Sequence, residues 1–147
     1  HSPGSETIHR LIASCYRRNE DFENERRAVE QLLRINPSSL SASNDLGAIN
    51  LREGHLIAAF EAFEQILSQE PEHPQATLNR AIALTVMGGM DHDAIWNRVM
   101  VVCDAIENLD EIRTAADQLA KLPDNARKGT PEAATLISMA AIKEIDI

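Results

Sequence analysis

Pro37 and Pro71 close two similar phrases, AVEQLLRINP and AFEQILSQEP, which stand 34 residues apart. A repeat at a fixed interval constrains a fold more tightly than composition does. Each unit must take the same shape and bury its apolar face on its neighbour. Sliding the chain by this interval aligns Ala13 with Gly47 and Ala81, and Glu20 with Gly54 and Gly88. Three units result, at about 6–39, 40–73 and 74–108.

Each unit reads as two helices. In the middle one, residues 40–53 form the first helix, Gly54 makes the turn and residues 55–69 form the second. Leu56, Ala59, Phe60, Phe63, Ile66 and Leu67 recur at three- and four-residue spacing, a stripe that one helical hairpin cannot cover alone. Composition agrees. Aromatics make up 3% of the chain while hydrophobic residues make up 44%, which favours helices over a β-sandwich. The expected fold is all-α, in a single domain spanning residues 1–147.

Leu46-Gly47 on the first helix, Ala59 and Phe63 on the second, and the closing Pro71 resemble the tetratricopeptide repeat family. The first unit keeps Ala13, Tyr16, Phe22 and Pro37 but has Glu25 in place of a small residue. The third keeps Ala81 and Gly88 and lacks the proline. The resemblance implies a right-handed superhelical solenoid of three helix pairs plus capping helices. It also implies a concave groove lined by the first helix of each pair, serving as a non-enzymatic scaffold or adaptor. An accessory, substrate-recruiting domain of a larger enzyme or assembly machine is the alternative.

The repeat register puts Arg10, Ser14, Arg17, Arg18, Asn44, Ala48, Leu51, Arg52, Gln75, Leu78, Ile82, Thr85 and Val86 on that groove. Its arginines are suited to carboxylates and its apolar end to aliphatic or aromatic side chains, so the expected partner is a protein or peptide carrying both. Leu78, Ile82 and Val86 have a second reading, as a surface covered by the chain's own last helix. Some family members clamp the C-terminal carboxylate of chaperones. The matching places here are Arg10, Ser14, Asp45, Gln75 and Asn79, and Asp45 would repel such a tail.

Beyond residue 108 the repeat fades. Leu109, Ile112, Ala116, Leu119 and Leu122 share one face of a helix at about 109–122. Thr130-Pro131 opens a last helix at about 131–145, with Leu136, Ile137, Ala140, Ala141 and Ile145 on a broad apolar face. It caps the array, continues a longer one, or docks a second copy.

A formal charge of -9 argues against general affinity for nucleic acid or anionic membrane, and no apolar run reaches the ~20 residues of a membrane helix. Cys15 and Cys103 have no CxxC partner and read as buried thiols. No phosphate-cradling, dinucleotide, nucleophile-elbow or HExxH motif occurs, so neither a catalytic residue nor a cofactor is implied. In MGGMDHDA, Asp91 or Asp93 reads as a helix cap rather than a metal ligand. Trp96 reads as a packing residue, with an exposed binding anchor as the alternative. A chain that begins HSPGSET leaves compartment open, with the cytoplasm slightly favoured and an exported or processed fragment the other course.

Overall fold

The computed structural model of the chain describes residues 3–143. Every regular element among them is helical: α1 (Pro3–Arg18), α2 (Phe22–Ile35), α3 (Leu40–Arg52), α4 (Leu56–Gln69), α5 (Pro74–Met87), α6 (His92–Val102), α7 (Leu109–Ala120) and α8 (Pro131–Ser138), with a short 3-10 turn at Asp124–Ala126. Each helix of the repeat region packs on the next in sequence, from α1 through to α6. The arrangement is that of a helical repeat solenoid.

The boundaries follow from local chemistry. Asp21, Ser39, Asp91 and Thr130 accept a hydrogen bond from the backbone N–H three residues on, satisfying a donor that the helix start leaves unpaired. At α5 the same position is taken by His73, whose Nδ1 lies 3.1 Å from the Ala76 nitrogen. Pro74 and Pro131 occupy first-turn positions where a missing N–H costs nothing. Between α3 and α4 the chain turns through Gly54 at a φ of 83°, a conformation that crowds a β-carbon.

The core is continuous from α3 to α8. Phe63, Ile66, Leu78, Ile82, Trp96, Ile112, Leu119 and Leu136 belong to one buried cluster, while Ala13, Val29 and Ile49 form a smaller one between the first helices. Trp96 is fully buried, and its Nε1 donates to Thr85 Oγ1 at 2.9 Å. Cys103 is buried and its thiol faces the Pro74 carbonyl. Cys15 is exposed, which corrects the expectation of two buried thiols; it lies on the α1 face that also carries the exposed Ile8 and Ile12.

Both α7 and α8 pack on α5, and α8 also reaches α3. Arg127 fixes the connection between them, donating to the carbonyls of Leu122 and Ala120 at 3.0 Å each and to Thr85 on α5 at 3.3 Å. The last helix ends at Ser138, earlier than the expected residue 145. Ile145 lies outside the described residues.

Candidate functional site

α1, α3 and α5, the first helices of successive pairs, bring Arg10, Asn44, Asp45 and Asn79 together. Arg10 donates from Nε and Nη2 to the same Asp45 oxygen, at 3.0 and 2.8 Å. The other carboxylate oxygen of Asp45 is buried and has no hydrogen-bond partner among the described residues. Burial pushes the Asp45 carboxyl up to about 6, against the opposing pull of Arg10. On α5, Asn79 Nδ2 donates to Asn44 Oδ1 at 3.1 Å, which locks two fully buried amides against each other.

The chain that follows α8 crosses these side chains. Ala141 donates its N–H to Asn79 Oδ1 at 2.8 Å, and its carbonyl accepts from Asn79 Nδ2 at 2.7 Å and Asn44 Nδ2 at 3.3 Å. Two residues on, the Lys143 carbonyl accepts from Arg10 Nη2 at 2.9 Å.

Next to this crossing is a cleft of about 660 Å³. Arg17, Ala48, Leu51 and Arg52 line one side, and Ala133, Ala134, Ile137 and Ile142 line the other. Behind its basic wall sits Glu25, 1% exposed, whose carboxylate meets Arg52 at 2.6 Å and Arg17 at 3.7 Å. Arg52 is further held by Phe22, its guanidinium carbon 4.0 Å from the ring centroid.

The residues expected on the groove therefore fall into four groups. Arg17, Ala48, Leu51 and Arg52 line the cleft, while Arg10 and Asn44 hold the crossing chain. Ser14 is buried beneath Arg17 and accepts from it at 3.3 Å; Arg18 is exposed at the end of α1, and Gln75 is half-buried in the first turn of α5. Leu78, Ile82, Thr85 and Val86 are at most 4% exposed. The three aliphatic ones belong to the core shared with α7 and α8, and Thr85 bonds Trp96 and the Ala81 carbonyl. Sequence reading did not anticipate a role for Glu25, and for residues 139–143 it expected a capping helix rather than a segment whose main chain bonds Asn44, Asn79 and Arg10. An acid at a position reserved for a small residue was the available signal for Glu25, since a buried carboxylate requires cationic partners.

Outside the groove, Asp91 caps α6, and His92 Nε2 lies 2.8 Å from an Asp117 oxygen that also accepts from Arg113 at 3.0 Å. No group of three or more His, Cys, Asp or Glu among the described residues could hold a metal ion, and no described helix is long and apolar enough to cross a membrane. Residues 12–83 match a family model described as tetratricopeptide repeat. No curated protein and no solved structure matches the chain.

Proposed function

From a chain whose residues 12–83 are tetratricopeptide repeats, which generally mediate protein–protein interaction, we infer a non-enzymatic scaffold or adaptor that holds a partner segment in its concave cleft. The cleft between α3 and α8 carries this reading. It is large enough for several side chains, its lining is mostly Ala, Leu and Ile, and Arg52 stands at one wall. Arg52 is pre-organised by Phe22 and Glu25, so little side-chain freedom is lost when a carboxylate meets it. The partner chemistry is an acidic residue followed by two or three aliphatic ones. The apolar contacts come from Ala133, Ala134 and Ile137 of α8 in place of Leu78, Ile82 and Val86.

Calorimetry with short peptides that place Asp or Glu before Leu or Ile pairs tests this. Ala134 is exposed and lines the cleft, so Ala134→Trp fills the site without disturbing the core. Binding is expected to weaken by about tenfold or more in this variant and to fall with added salt. Affinity unchanged by Ala134→Trp, or no binding by any such peptide, rules the cleft out.

A further inference from the structure

Three side chains on three successive first helices grip one crossing segment, and each hydrogen bond they make with its described residues is to main chain. Asn79 takes both peptide groups of Ala141, Asn44 shares its carbonyl, and Arg10 takes the carbonyl of Lys143. Carbonyls two residues apart point to the same side of an extended chain and are separated by roughly 6.5–7 Å. Arg10, Asn44 and Asn79 stand 34 and 35 residues apart, one on each first helix; Asn79 and Asn44 converge on the Ala141 carbonyl, and Arg10 takes the carbonyl two residues on. The residue gripped at both peptide groups is small, and Ala140 and Ala141 rest against the core.

Accepting that the groove holds a partner segment, we propose that residues 139–143 are its occupant in cis. The partner's own segment is extended, read through its main chain by Asn79, Asn44 and Arg10, with a small apolar residue opposite Asn79. Residues 139–143 compete with it and must leave before it binds. The contacts suit such an exchange. They are hydrogen bonds to peptide groups that any extended chain offers, so a partner replaces them one for one. A segment tethered directly to α8 has an effective concentration in the millimolar range, enough to hold off weak ligands while yielding to a tighter one.

The test is fluorescence polarisation with a labelled peptide LISMAAIKEI, the sequence of residues 136–145, added to the full chain and to an Ala141→Pro variant. Proline removes the N–H that Asn79 accepts. The variant is expected to bind the peptide about tenfold more tightly than the wild type, and a peptide N-methylated at its second alanine is expected to lose that gain. Equal binding by the two proteins, or an N-methylated peptide that binds as well as its parent, overturns the proposal. Amide exchange gives an answer that does not depend on the variant folding. In the wild type the Ala141 N–H should exchange at least about tenfold more slowly than in the free peptide, and exchange at the free-peptide rate overturns the proposal. An acidic-aliphatic peptide bound equally by wild type and Ala141→Pro defeats the displacement step while leaving the cleft as a binding site. Failure of all such peptides with both wild type and Ala141→Pro defeats the cleft and leaves the polarisation result to decide the strap.

Discussion

Phe63 occupies the space that a side chain on Gly47 would need. A β-carbon built on Gly47 stands 2.7 Å from Phe63 Cζ, well inside van der Waals contact, and Phe63 itself is fully buried. The Leu-Gly of one helix and the Ala-x-x-x-Phe of the next are thus two halves of one contact. The ring lies directly on the backbone of α3, and this fixes how closely α3 and α4 approach.

Gly47→Leu should therefore lower stability by roughly 2–4 kcal/mol, because neither α3 nor the buried ring can move aside without opening the core. Glu61→Gln, on the exposed face of α4, should stay within about 0.5 kcal/mol of wild type. Thermal or urea melts compare the two. Equal losses would mean that α3 and α4 do not meet at this point.

Arg52 and Arg27 both pair with a glutamate at 2.6 Å, yet they should behave very differently. The Arg27–Glu23 side chains are 71% and 75% exposed, where water and salt screen the attraction. Glu25 is 1% exposed and would be left with only the 3.7 Å approach of Arg17. Arg52→Ala is expected to cost about 3 kcal/mol and Arg27→Ala less than about 0.5 kcal/mol, read from urea midpoints at constant slope.

His73 makes the start of α5 sensitive to pH. Its Nδ1 can accept from the Ala76 N–H only while that nitrogen is unprotonated. Burial holds the ring's pKa below the ordinary 6.5, outweighing the opposing charge of Glu70. A histidine whose pKa is depressed on folding contributes stability that is complete above its unfolded value and is lost as pH falls through the folded one. Between pH 7.5 and 5 the wild type should lose roughly 0.5–1 kcal/mol relative to His73→Ser, whose hydroxyl caps at either pH. Parallel melting curves for the two across this range would show that the imidazole is not the cap.

Much of the packing was legible in the sequence because it is local or repeats. The 34-residue register located the turns at Gly54 and Gly88, the proline-led starts of α5 and α8 stand where Pro74 and Pro131 fall, and the Ala59–Phe63 stripe is buried. What escaped it depends on contacts between distant residues. Met139, Ala140 and Ala141 favour helix, yet Ala141 and Lys143 give their peptide groups to side chains 62 to 133 residues away. Leu78, Ile82 and Val86 look like a groove wall in the repeat register; α7 and α8, which lie outside the repeat, cover them. Glu25 stands out in the sequence as an odd residue, and its two arginines can be assigned to it only once α1, α2 and α3 are folded together.

Asp45 gives the groove a pH dependence of the opposite sign to that of His73. Its side chain is 9% exposed, Arg10 engages one oxygen only, and the second oxygen has no partner among the described residues. Desolvation therefore outweighs the ion pair, and the carboxyl sits at about 6 instead of the ordinary 3.8. A carboxyl whose pKa rises on folding binds its proton more tightly in the folded chain. Its contribution is greatest below pH 3.8, falls as pH rises toward 6 and is level above that. Asp45→Asn cannot ionise and keeps an oxygen for Arg10. It should match wild type near pH 4 and gain on it steadily to about pH 6.5, reaching on the order of 3 kcal/mol, since each pKa unit corresponds to about 1.4 kcal/mol. Arg17 and Glu25 also act on Asp45, with opposite signs, so removing either charge should shift the midpoint of this gain without abolishing it. Urea unfolding of both proteins at half-unit steps from pH 4 to 7 measures the difference directly. A constant difference across that range, or a wild type that gains on Asp45→Asn as pH rises, would show that the Arg10 pair outweighs burial.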